Sequence, residues 1–275
     1  MTPDHGDKTF VFVGGLQRSG TTAFHQLLGT SEQVSIFRDT GVPADEGQFL
    51  QTVIPKETEF GRAGRHAFQK GIRLTEGSPL VAEARQKLFS QWSQYWDLSR
   101  PVLAEKTPAN SFRARFLQAV FPDSRFVFLI RHPISAVLAM EKWFPDLEID
   151  VTIENWLRTY EIIEETLPHL NRAVVIHYEN ALDHPERVAD VLRRRLDLSL
   201  DLDPSNFVNP DRSRYYIQWH KGDFQVSQKA NASGERKFTR DRATLGDFER
   251  RYESRIRHFG YSFADPRPLI GSLDR

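Results

Sequence analysis

Apolar residues gather along this chain into short runs of strand length, and between those runs they recur at helical spacing. Thr9–Val13 (TFVFV) reads as a fully buried strand and Val34–Phe37 as a short second one. Val102–Ala104, Arg125–Ile130 (RFVFLI) and Ala173–His177 (AVVIH) read as three more. Helical spacing predicts helices over Thr21–Leu28, Glu46–Val53, Ser78–Leu98, Thr152–Leu167, Pro185–Leu196 and Arg242–Phe259, with another through Phe112, Phe116 and Val120. Ser78-Pro79 offers a capping residue and a first-turn proline, and Leu88, Phe89, Trp92, Tyr95 and Trp96 supply the core face of that helix. Gly260 stops the last helix.

Strands that alternate with helices predict an α/β fold, with a central parallel sheet flanked by helices. The sequence shows no internal repeat and no low-complexity linker, so residues 1–275 read as a single domain, with the polar 1–8 flexible. Leu198–Thr239 is weakly periodic and rich in Asp, Asn, Ser, Lys and Arg; loops of that length usually carry function or lack fixed order.

Composition narrows the chemistry. Lys+Arg and Asp+Glu both total 37, so no net field draws the chain to nucleic acid, and any anion site is local. Cysteine is absent, which removes disulfides, thiolate metal ligands and a cysteine nucleophile. The start of the chain lacks the cationic and apolar stretches of a signal peptide, and no apolar run reaches the length of a membrane span. The expected location is cytoplasmic; oligomeric state is not legible.

The most informative segment lies between the first strand and the first helix: Gly15-Leu16-Gln17-Arg18-Ser19-Gly20-Thr21-Thr22. Two glycines five apart let the backbone wrap an anion, and the following helix contributes the positive end of its dipole. This is P-loop spacing, but Thr21 stands where the lysine belongs and Arg18 is the cation. A kinase loop needs that lysine on the β/γ-phosphates, so triphosphate chemistry is disfavoured, while an arginine still clamps an anion bidentately. A second cation, Arg131, ends the strand Phe126–Ile130 ahead of His132-Pro133, at the sheet edge where such folds bind ligands. A third, Lys106, lies in Glu105-Lys106-Thr107-Pro108, which follows the strand at Val102–Ala104 at the sheet edge.

These segments resemble the sulfotransferase superfamily, closest in style to bacterial sulfotransferase-like proteins and tyrosine-protein sulfotransferases. The resemblance covers Thr9 to about Leu182. It implies an enzyme that moves a sulfuryl group from PAPS, leaving PAP, to a hydroxyl or amine acceptor by in-line displacement without a metal. By that resemblance Gln17, Arg18, Ser19, Gly20, Thr21 and Thr22 bind the 5′-phosphosulfate, Arg131 the 3′-phosphate, and Tyr178 lies near the nucleotide. The family's serine eight residues after the arginine is Ala139 here, so either Ser135 or a C-terminal loop supplies the missing donor. Arg236-Lys237-Phe238 resembles the basic-aromatic pair over the 3′-phosphate, with Lys237 as the cation.

The resemblance also assigns Lys106 and Arg18 to the transfer itself, and it leaves two carboxylates as base. Asp39 sits twenty-one residues after Arg18, the offset of the tyrosine-protein enzymes, whereas Glu46 lies in a bacterial-type Asp45-Glu46-Gly47-Gln48 segment and is slightly favoured. Alternatives are a non-catalytic PAP-binding protein and, less favoured, a P-loop small-molecule kinase. Phe60, Phe68, Tyr215, Tyr216 and Trp219 would suit a sugar, lipid or phenol as acceptor.

Overall fold

The computed structural model describes residues 7–141, 148–207, 242–272 and 274. Five strands form one all-parallel sheet: β1 (Thr9–Gly15), β2 (Val34–Ile36), β3 (Val102–Lys106), β4 (Arg125–Ile130) and β5 (Ala173–His177). Their order is β2-β3-β1-β4-β5, which puts β1 in the middle. Register aligns Val13 with Lys106 on one side and Gly15 with Leu129 on the other. The ends of three adjacent strands therefore open on one edge.

Strands covered on both faces are apolar throughout, because each alternate residue enters a core. Phe10, Phe12, Phe126, Phe128 and Ile130 point into one core, and Val11, Val13, Val127 and Leu129 into the other. The first core is closed by α2 (Val81–Trp92), α3 (Ala114–Val120), α4 (Pro133–Glu141), α5 (Ile149–Thr166) and α8 (Arg242–His258). The second is closed by α1 (Thr21–Leu28), α6 (Tyr178–Asp183) and α7 (Val188–Leu196). Each fully buried phenylalanine contributes about 1.5–3 kcal/mol to holding sheet and helices together.

The expected α/β architecture is what the chain forms, with local differences. The helix expected over Ser78–Leu98 is confined to Val81–Trp92; Ser78 Oγ accepts from Leu80 N–H at 3.3 Å just ahead of its first turn. Trp92 and Trp96 are buried as expected, their indole N–H groups donating to the carbonyls of Gly47 and Ala104 at 3.0 Å, but Tyr95 is exposed.

Glu46–Val53 is not an α-helix. Short 3-10 turns at Pro43–Asp45 and Gly47–Phe49 replace it. Its amides are taken elsewhere: Gly47 N–H donates to Glu105, Gln48 N–H to Thr107 Oγ1, and the N–H groups of Val53 and Ile54 both donate to Gln51 Oε1. Side-chain acceptors have outcompeted the helical ladder. The Pro185 helix starts as a 3-10 turn before Val188, and the helix expected from Thr152 begins at Ile149. No helix among the described residues is long and apolar enough to cross a membrane.

Candidate active site

The loop from β1 into α1 is shaped by residues that reach left-handed backbone angles. Gly15 has φ 147°, Arg18 φ 70° and Gly20 φ 96°. A Cβ on Gly15 would lie 2.6 Å from Leu129 O and from Ser19 Oγ, and one on Gly20 would lie 2.3 Å from the Tyr178 ring. Only glycine combines that backbone with that closeness. Ser19 is fully buried and closes the turn on itself, its hydroxyl and its amide both reaching Leu16 O, at 2.6 and 3.0 Å. Thr21 is buried at the start of α1, whereas Thr22 and Arg18 are exposed.

Arg131 follows β4, and its side chain is almost wholly enclosed. Its Nη1 donates to the carbonyl of Arg18 at 3.0 Å, and its guanidinium lies 5.2 Å from the centre of the Tyr178 ring. The backbone around it is fixed from two sides. Trp156 Nε1 donates to Arg131 O at 3.0 Å, and His132 N–H donates to Glu179 Oε1 at 2.8 Å. Glu179 also accepts from Tyr261 OH at 2.8 Å, and its burial pushes the carboxyl above its ordinary value. Ser135 and Ala139 are both buried in α4, Ser135 four residues beyond Arg131.

Lys106 closes β3 with its side chain completely buried. Its Nζ donates to Ala44 O at 2.9 Å and to Glu46 Oε1 at 3.1 Å, and the Glu46 side chain keeps 12% of its surface open. Burial raises the Glu46 carboxyl above its usual value; the Lys106 charge pulls it down and a second carboxylate, Glu57, pushes it up. An ion pair this enclosed needs further hydrogen bonds to offset desolvation, and Gln48 Nε2 supplies one to Glu46 Oε2 at 2.6 Å.

Of the two candidate carboxylates, Glu46 is the one brought to Lys106. Asp39 is exposed in a left-handed conformation, and its backbone N–H bonds to Asp45. Gln17 turns toward Glu57 and His66, at 3.0 and 2.7 Å. Lys237, Tyr215, Tyr216 and Trp219 lie outside the described residues. Phe60 packs partly buried against the Ile72 cluster, and Phe68 is half exposed.

Sequence reading missed several residues that hold this edge together. Glu105 accepts from Gly47 N, Thr107 Oγ1 and Asn110 Nδ2 at 2.9, 2.6 and 2.6 Å, so it straps the segment carrying Glu46 to β3. A signal for it existed: a carboxylate inside the apolar run Val102–Lys106 cannot be buried without partners. Gln48, Glu57 and His66 carry no such local signal.

Residues 11–202 match the family model described as the sulfotransferase family. The chain is 22% identical over 202 residues to protein-tyrosine sulfotransferase 1 of Danio rerio, covering 70% of this chain and 54% of that protein. It is 19% identical over 201 residues to the protein-tyrosine sulfotransferase of Drosophila melanogaster, covering 68% and 38%. The chain thus spans about half, or less, of the length of these relatives. Its fold resembles that of the sulfotransferase domain of the Synechococcus PCC 7002 olefin synthase, with a TM-score of 0.52 at 14% identity, over 95% of this chain and 98% of that domain. A P-loop-like turn that carries arginine for lysine, a parallel sheet with cations at three neighbouring strand ends, and a family match over most of its length lead to one assignment: the chain belongs to the sulfotransferase family.

Proposed function

We propose that this chain transfers a sulfuryl group from PAPS to a hydroxyl or amine acceptor by in-line displacement. The observation that carries the reading is the contact between Lys106 and Glu46, a cation and a carboxylate one strand away from the arginine loop. The residues fit such a donor. Two arginines, the N-terminal amides of α1 and the hydroxyls of Thr21 and Thr22 can all donate to an anion, and Gly15 and Gly20 let the backbone take the angles that turn the loop.

When bound, PAPS supplies an activated sulfuryl group on a phosphosulfate. Arg18, Ser19, Gly20, Thr21 and Thr22, with Gln17 behind them, would hold that end of it. Arg131, Ser135 and Tyr178 would hold the nucleotide and its 3′-phosphate, with Lys237 as a further cation. Lys106 would donate to the oxygen on which charge grows as the bond breaks, the position where a fixed cation helps most. Glu46 would take the acceptor's proton, and its raised carboxyl suits that work, since a base acts best when its pKa approaches the working pH.

The acceptor remains a choice among sugar, lipid and phenol, to which the tyrosine-directed relatives add a peptide tyrosine. Calorimetric titration with PAP, followed by PAPS consumption across a panel of phenols, sugars, amines and tyrosine peptides, tests the proposal. Micromolar binding with turnover on one class supports it. PAP binding with no turnover on any class points to a binding protein, and magnesium-dependent ATP consumption points to a kinase.

A further inference from the structure

Beyond the residues the family resemblance names, one buried group joins the two halves of the site. Glu57 is only 9% exposed and stands on the short 3-10 turn Glu57–Phe60. Its Oε2 accepts from Gln17 Nε2 at 3.0 Å, and its backbone N–H donates to Gln48 Oε1 at 2.8 Å. Gln48 in turn donates to Glu46, and Glu46 meets Lys106. At the other end Gln17 also bonds to His66 Nδ1 at 2.7 Å, whose Nε2 reaches Gly61 O at 3.2 Å. One hydrogen-bonded chain therefore runs from the residue next to Arg18 to the Lys106 ammonium.

A carboxylate is an expensive group to enclose when it makes no direct ion pair among the described contacts. The opposite charges that act on it are those of Arg113 and Lys106; Arg113 is itself buried, with Nη2 on Pro55 O at 2.6 Å. Burial raises the Glu57 carboxyl, and the hydrogen bonds from Gln48 and Gln17 work against that rise. A glutamine would hold Gln17 at lower desolvation cost. What glutamine lacks is the negative charge that acts on Glu46.

We propose that Glu57 is a positioning residue for the transfer reaction, fixing Gln17 of the loop and Gln48 beside Glu46 in one hydrogen-bonded chain and setting the electrostatic environment of the base. The proposal rests on the reading of Gln17–Thr22 as the donor loop and of Glu46 as the base. The groups facing Glu57 are Gln17 from the loop after β1, Lys106 from β3, Arg113 at the start of α3, and Glu46, Gln48 and His66 from the 43–68 segment.

The test uses the full chain with PAP affinity and the pH profile of PAPS consumption, water serving as acceptor where no better one is found. Glu57→Gln keeps an acceptor for Gln17, so PAP affinity stays within ~2-fold of wild type. Removing the negative charge beside Glu46 lowers that carboxyl's pKa, so the acid limb of the profile moves to lower pH. Glu57→Ala also frees Gln17, and PAP affinity falls ~3–10-fold. If both variants match wild type in affinity and in acid limb, or lose activity only in step with the fraction unfolded, the proposal fails. Should Glu57→Ala not fold, the acid limb of Glu57→Gln still decides. A wild-type chain that neither binds PAP nor consumes PAPS overturns the donor reading and this proposal with it, whereas active wild type with indifferent variants overturns this proposal alone.

Discussion

Arg131 Nη1 donates to the carbonyl oxygen of Arg18 across 3.0 Å, so the cation that ends β4 is tied to the backbone of the loop that follows β1. The contact keeps the side chain of Arg131 extended across the sheet edge, where its guanidinium also sits beside Tyr178.

That tie separates the two arginines by experiment. Arg18→Ala removes the loop's cation and is expected to abolish PAP binding in the calorimeter. Arg131→Ala is expected to weaken it ~10–100-fold, as loss of charge-assisted bonds to a phosphate would. Arg131→Lys should recover little, because a point charge cannot reproduce the guanidinium's fork. Equal affinities for wild type and Arg131→Ala would place the 3′-phosphate elsewhere.

For the base, the sign follows from burial. As the proposed base Glu46 has to be deprotonated to act, and burial raises its carboxyl, so turnover should fall with decreasing pH at a value above the ordinary glutamate range. Lys106→Ala removes the charge that pulls the carboxyl down, so its residual activity should show an acid limb at still higher pH. Glu46→Gln should cut turnover ~100-fold or more while PAP affinity stays near wild type. The same loss from Asp39→Asn with Glu46→Gln active would reverse the assignment.

Gly20 offers a structural check independent of any acceptor. Gly20→Ala places a Cβ on a left-handed residue and within 2.3 Å of Tyr178, so thermal denaturation should show a loss of about 2 kcal/mol or more, roughly 4–8 °C in Tm. PAP binding should weaken with it. Trimming the ring in Gly20→Ala/Tyr178→Ala should recover part of the fold but not the affinity.

His132 makes stability fall with acid. Burial holds its imidazole down to about 4, with Nε2 against Ser262 O at 2.9 Å and Nδ1 accepting from Ile134 N. The unfolded chain takes up the proton near 6.5 and the native one does not, so the contribution is complete above 6.5 and shrinks by about 1.4 kcal/mol per pH unit between 6.5 and 4. Urea denaturation at pH 7.5, 5.5 and 4.5 should show the gap between wild type and His132→Gln narrowing in that window. A gap independent of pH would mean that the ring takes up its proton at the same pH in the native and the unfolded chain.

How much of this was legible depended on how locally each feature is encoded. All five strands announce themselves because Phe10 to Val13 and Phe126 to Ile130 are buried on both faces and so cannot alternate with polar residues. The loop announces itself because Gly15 and Gly20 are needed at backbone angles other residues avoid. Glu46–Val53 was misread because Leu50 and Val53 keep helical spacing, while the bonds that dismantle the helix come from Glu105 and Thr107, more than fifty residues downstream. Glu57 was invisible for the same reason: its partners Gln17 and Gln48 lie forty and nine residues away, and nothing nearby marks it.

The order β2-β3-β1-β4-β5 has one more effect. Lys106, the Arg18 turn and Arg131 leave neighbouring strands, so their mutual spacing is inherited from interstrand ladders of about 4.8 Å rather than from surface loops. Sequence change in the connecting segments can then proceed without altering the spacing of these three cations. Chimeras that exchange only residues 69–77, and so leave Glu46, Gln48, Glu57 and His66 in place, should keep nucleotide affinity.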